Sequence, residues 1–179
     1  MATIETIRGK VFREQLGAMQ FVAKAIDGKN GRPVLTMLKI ERTDIDKVWA
    51  YAMDGYRLHI ADISQYPLIP EGLYTVIKNI KSEMILQKEE TETAYPDIWQ
   101  LIPNSPKILS DIGNGFKAAI AHVVRALPNK ITVDPQYIED IKPDEHEWSM
   151  WHDGGTTPIG FKNETLCAVI MPLFLSNNE

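Results

Sequence analysis

At 179 residues, with 44% hydrophobic and 24% charged side chains, the chain has the composition of a globular protein of one domain or two small subdomains sharing a core. Its net charge of −5 excludes nucleic-acid binding through an overall basic surface but leaves a local basic face open. A single cysteine, Cys167, excludes an internal disulfide and a cysteine-based metal site. No apolar run approaches the roughly 18 residues of a membrane span, and residues 1–10 lack a signal-peptide core, so a cytoplasmic location without membrane contact is expected.

In chain order, residues 3–11 read as a first strand. Over 12–26, Leu16, Met19, Ala23 and Ile26 recur at spacings of 3, 4 and 3, which predicts a helix with these on one face and Gly28 as its C-cap. Strands follow at 34–41 and 48–53, joined by a polar hairpin at 43–47. Asp54-Gly55 is a tight-turn signal leading into a strand at 56–63. Pro67 and Pro70 end that run, and 72–87 supplies one or two more strands. Residues 95–116, with three prolines and two glycines, read as a connector. A short helix is expected at 118–127 and a strand at 130–133. Asp134-Pro135 has the form of an N-cap with proline at the first helical position, opening a helix to about Ile141. Residues 147–175 read as two or three strands with turns at 153–155 and 162–164, and 176–179 as a frayed tail. The pattern is a β-α-β-β unit used twice, an α+β fold with helices on one face of a mainly antiparallel sheet. The expected organisation is a single domain over 1–179: a first half at 1–94, a connector with a short helix at 95–129, a second half at 130–175, and the tail.

Three segments then stand out in order. Ala52-Met53-Asp54-Gly55-Tyr56-Arg57-Leu58 resembles the Ala-Thr-Asp-Gly-His-Arg-Leu pattern of bacterial DNA sliding clamps, the β subunits of DNA polymerase III. Tyr95-Pro96-Asp97 with Leu101-Ile102-Pro103 is similar to the segment linking clamp domains, and Val169-Ile170-Met171-Pro172-Leu173 is similar to the Val-Met-Pro-Met that ends clamp chains. Met53, Tyr56, Leu173 and Phe174 depart from the pattern, and the chain has residues for about one of a clamp's three domains. The resemblance implies a DNA-clamp-like fold of two β-α-β-β(β) half-domains. It also implies a hydrophobic cleft for polymerase or other clamp-motif peptides, formed by Gly55, Tyr56, Arg57, Leu58, Pro103, Val169, Met171, Pro172 and Leu173. Methionine is adaptable at such a surface, and tyrosine and arginine are enriched at binding hot spots. Alternatively, Leu58, Val169 and Met171 are plain sheet core and Asp54-Gly55 an ordinary hairpin turn.

Clamps face duplex DNA with basic helices. The corresponding candidates for non-specific contact with double-stranded DNA are Arg13, Lys24, Lys29 and Arg32, then Lys117 and Arg125, against a solvated-surface reading of the same residues. Because bacterial clamp rings contain six domains, a one-domain chain would close as a homo-oligomer of about six. The alternative is a clamp-fold adaptor or decoy that takes clamp-motif peptides without encircling DNA.

Signals for catalysis are thin, so the chain is read as a binding protein of replication or repair and not as an enzyme, with no cofactor and no metal. His146 and His152, near Asp144, Glu145 and Asp153, match no common ligand spacing. Asp153-Gly154-Gly155 and Gly113-Asn114-Gly115 lack the Lys-Ser/Thr of a phosphate loop and read as turns. Cys167 lies in an apolar strand and is expected to be buried and inert.

Overall fold

The computed structural model describes residues 3–10, 12–28, 32–44, 46–91, 93–103, 108–112, 115–127, 131–142 and 147–174. The chain divides into two compact units, Met1–Pro96 and Asp97–Glu179.

In the first unit, β1 (Ile4–Arg8) leads into α1 (Arg13–Ala23), followed by β2 (Leu38–Asp44), β3 (Lys47–Met53), β4 (Arg57–Asp62), β5 (Gly72–Ile80) and β6 (Glu83–Glu89). These strands lie in the order β1-β6-β5-β2-β3-β4, every described pair antiparallel. Alternation along β3 places Val48, Ala50 and Ala52 on one face, with His59 and Ala61 of β4 beside Ala52 and Ala50. The three alanines leave room for a helix. α1 fills it with Leu16, Met19, Phe21 and Val22, each at most 5% exposed. Burial of such side chains contributes on the order of 2 kcal/mol each. His59 is fully buried there, stacked on Phe21 at 4.3 Å, and its Nδ1 lies 2.8 Å from the Phe21 carbonyl oxygen. A carbonyl only accepts, so this nitrogen carries the proton.

The helix differs from its predicted form at both edges. Its buried face takes in Phe21 and Val22, while Ala23 and Ile26 are only half-buried. It ends at Lys24, not at Gly28, because Ala25 is drawn into the core and the Asp27 N–H donates to the Leu35 carbonyl. The strand predicted at 34–41 begins instead as a 3-10 turn, Pro33–Thr36, since proline at its start presets the turn and supplies no ladder donor. The first strand is shorter than 3–11, and 72–87 is two strands.

The second unit holds β7 (Ile108–Ile112), α2 (Phe116–Ala126), β8 (Ile131–Thr132), α3 (Pro135–Asp140), β9 (Trp148–His152), β10 (Ile159–Lys162), β11 (Leu166–Ile170) and β12 (Leu173–Phe174). Its main strands lie in the order β11-β10-β9-β7, and β12 pairs with β8. Met150, Phe161 and Ala168 are register neighbours on one buried face. Ala119 and Val123 of α2 and Ile138 of α3 are buried apolar positions of the helices. Asp134 caps α3 as predicted, accepting from the Gln136 N–H at 2.8 Å, with Pro135 at the first helical position. The segment 95–129, expected to be a connector with a short helix, carries that helix and also a strand that was not expected. β7 pairs with β9 across some forty residues, a contact with no local signature, and α2 starts two residues before the expected helix.

Among the described residues no helix is long and apolar enough to cross a membrane, and no cluster of three or more His, Cys, Asp or Glu side chains could hold a metal. His152 is buried, while Asp144, Glu145 and His146 lie outside the described residues. Cys167 is half-buried, and desolvation pushes its thiol up to about 12, so it stays protonated.

Candidate interaction sites

The hairpin between β3 and β4 is built around Asp54. One carboxylate oxygen accepts the N–H groups of Tyr56 and Arg57, both at 2.9 Å, and the other takes the Arg57 guanidinium Nε at 3.0 Å. Both side chains of this ion pair are 13% exposed. The Asp54 N–H donates to the Arg57 carbonyl, and Gly55 supplies the left-handed φ of 91° that the reversal needs. The turn thus points Tyr56 outward, 51% exposed, on a fixed backbone. Tyr95 ties the preceding strand end: its hydroxyl accepts the Met53 N–H at 3.0 Å, and its ring meets Tyr51 edge-on at 5.4 Å. Burial, opposed by that hydrogen bond, and the Asp54 charge hold the Tyr95 phenol well above its ordinary range. Asp54 and Tyr95 shape this turn, and neither is among the residues expected from the sequence to form the cleft. The signal for Asp54 was present, since Asp before Gly characteristically bonds the backbone two residues on.

In the second unit, the Asp97 carboxylate accepts from the Trp99 N–H at 3.1 Å ahead of a 3-10 turn (Trp99–Leu101), and Pro103 follows it half-buried. Met171, Pro172 and Leu173 are also half-buried, with Leu173 paired to Thr132.

Of the basic candidates, Arg13 and Lys24 are eleven residues apart on α1, which brings them within roughly 20° of one another around the helix. Arg13 is exposed and Lys24 half-buried; Arg32 is exposed, and Lys29 lies outside the described residues. On α2, Lys117 and Arg125 are exposed and the helix has no acidic residue, whereas α3 carries Glu139 and Asp140.

No protein-family model matches this sequence, and no curated protein matches it. Solved structures do. The sliding clamp of DNA polymerase from Bacillus subtilis is 14% identical over 96% of this chain and 64% of its own, with a TM-score of 0.58. The DNA polymerase III β subunit of Thermotoga maritima is 12% identical over 97% of this chain and 66% of its own, at 0.65.

The fold is that of a DNA sliding clamp.

The β sliding clamp of C. crescentus, solved with polyethylene glycol in the region assigned to β-motif tethering, agrees at 14% identity, covering 95% of this chain and 65% of its own, at a TM-score of 0.65. In each case the chain spans less than two thirds of the clamp it matches. Two positions carried over from the clamp pattern behave differently from the rest: Leu58 is 1% exposed and Val169 2%. Both are buried strand positions, so their side chains are core, whereas Met171, which the plainer reading grouped with them, is only half-buried. Gly55, Tyr56, Arg57, Pro103, Met171, Pro172 and Leu173 retain accessible surface.

Proposed function

We propose that this chain is a clamp-fold protein of DNA replication or repair, not an enzyme, that binds short apolar partner peptides and assembles as a homo-oligomer around double-stranded DNA. The observation that carries the reading is the likeness to sliding clamps across 95–97% of the chain, with the Asp54-bound turn standing at the clamp motif. Peptide contact is assigned to Tyr56, Gly55 and Arg57, and to Pro103, Met171, Pro172 and Leu173. The Arg57 charge is already matched by Asp54, which suits an apolar ligand better than an acidic one. Arg13, Lys24, Arg32, Lys117 and Arg125 are assigned to phosphate contacts, which are salt-sensitive and read no sequence. Lys29 belongs to the same proposed set.

Absolute mass by light scattering over a tenfold concentration range tests the assembly. A closed oligomer retained on circular but not linear DNA supports the ring. A second reading, an adaptor that takes clamp-motif peptides without encircling DNA, is favoured by the acidic residues of α3 and the net charge of −5. A monomer that binds such a peptide with no dependence on DNA selects it.

A further inference from the structure

An open pocket of about 410 Å³ lies wholly within the first unit, walled by Phe12, Arg13, Glu14, Gln15, Gln65 and Tyr66. That volume falls within the range of small-molecule sites. Its walls are fixed by contacts of their own. Gln15 is 2% exposed, and its amide Nε2 donates to the Pro67 carbonyl at 3.1 Å, binding the start of α1 to the segment after β4. The Gln65 amide donates to the Tyr66 hydroxyl at 3.1 Å, and the Tyr66 N–H donates to the Ile63 carbonyl. The Gln15 contact orders this wall before a ligand enters, which lowers the ordering cost of binding.

The lining selects the ligand class. Phe12 is 37% exposed as a residue and lines the pocket, and Tyr66 adds a second aromatic. Aromatic faces accept any planar base by stacking. The amide of Gln65 offers the paired donor and acceptor character that the edge of a base requires. The Arg13 guanidinium is chemically suited to donate to a phosphate, and the Glu14 carboxylate beside it to accept from a sugar hydroxyl or a base amino group. Among the described residues of the lining Arg13 is the one cationic side chain, so the pocket offers a guanidinium partner to one phosphate and no second one to a polyphosphate. The lining is too polar for a lipid and too poor in carboxylates for a cation.

We propose that this pocket binds a single nucleotide, with its base stacked on Phe12 or Tyr66, its edge read by Gln65 and its phosphate on Arg13. The nucleotide has two sources, a free mononucleotide or an unpaired nucleotide of a single strand. This assignment is independent of the peptide and ring readings. Arg13 is shared with the proposed duplex contacts, so Phe12 and Gln65 carry the test.

The test is calorimetric titration of the full chain with dAMP and dTMP, with a ten-nucleotide oligo(dT), with a blunt duplex, and with maltose as a neutral ring control. The expected result is nucleotide binding that weakens about tenfold or more in Phe12→Ala and falls also in Gln65→Ala, both variants keeping the parent's circular dichroism. Equal affinity per site for mononucleotide and oligo(dT) identifies the free nucleotide as sufficient; tighter oligo(dT) binding identifies the strand. Absence of any nucleotide binding, binding unchanged in both variants, binding of the blunt duplex alone, or preference for maltose overturns the proposal. None of these results bears on peptide affinity or ring closure, which are read with other ligands.

Discussion

Trp151 of β9 occupies the space that a side chain on its register partner Gly160 of β10 would need. A Cβ added at Gly160 would stand 1.8 Å from the indole Cζ2 and 1.9 Å from Cε2. The indole is 2% exposed and is packed against its neighbours, so it has no nearby space to enter. Gly160→Ala is therefore expected to destabilise the chain by about 3 kcal/mol, the upper end of ordinary overpacking costs. Urea unfolding measures it. In a Trp151→Ala background the same substitution should cost little, so the double-mutant cycle should return most of the penalty as coupling. Equal penalties in both backgrounds would refute the steric account.

Asp54 organises the turn by accepting two backbone N–H groups and one guanidinium N–H. Asp54→Ala leaves two half-buried donors and one exposed one without their acceptor, at an expected cost of about 1–3 kcal/mol. Asp54→Asn keeps one acceptor oxygen and should cost less. Because the turn sets the direction of Tyr56, both variants should also weaken any clamp-motif peptide, Ala more than Asn, as anisotropy titration would show. A peptide affinity that ignores both variants would remove the turn from the binding surface.

Asp62 predicts an acid-sensitive contribution to stability. Burial pushes its carboxyl up, but hydrogen bonds from Lys47 and Ser64, with the lysine charge, outweigh this and hold it below the usual carboxylate value. Lys47 Nζ is 2.6 Å from Oδ2, and the Ser64 N–H donates to Oδ1 at 3.0 Å. A carboxyl with a depressed folded pKa stabilises the fold above its unfolded value near 3.8, and this is lost as pH falls through the lower folded value. Asp62→Asn should thus lower stability at pH 7 and flatten its decline below about pH 4. Parallel acid limbs in variant and parent would show that the network contributes nothing.

What was legible in the sequence was local. Asp134-Pro135 specifies a helix start through one hydrogen bond two residues away, and Asp54-Gly55 specifies a reversal in the same way. The helix face around Leu16 and Met19 was legible because its period is local too. Features set by distant partners were not. β7 exists by pairing Ile108 with Trp151, and the chain after α1 is drawn to a distant partner, the Leu35 carbonyl that accepts the Asp27 N–H. For the proposed peptide contact, the motif picks out the turn and the Met171-Pro172-Leu173 segment, which keep accessible surface. It did not separate Leu58 and Val169, which are buried, from their half-exposed neighbours, because the alternation of a strand does not say which of its faces is covered.

That separation yields opposite outcomes for two truncations that the motif alone treats alike. Leu58 is 1% exposed, so Leu58→Ala removes core packing and should cost about 2–5 kcal/mol, with any loss of peptide binding following the loss of fold. Met171 is half-buried and lies after the end of β11, so Met171→Ala should leave the unfolding midpoint nearly unchanged. If Met171 touches a partner peptide, the same variant should lower its affinity by about fivefold or more, since truncation of an interface anchor typically costs more than 1 kcal/mol. Both variants are read in parallel by urea unfolding and by anisotropy of a fluorescent clamp-motif peptide. Met171→Ala with full affinity, beside a wild-type chain that binds the peptide, would exclude Met171 from the contact and restrict the search to Tyr56, Pro103 and Leu173.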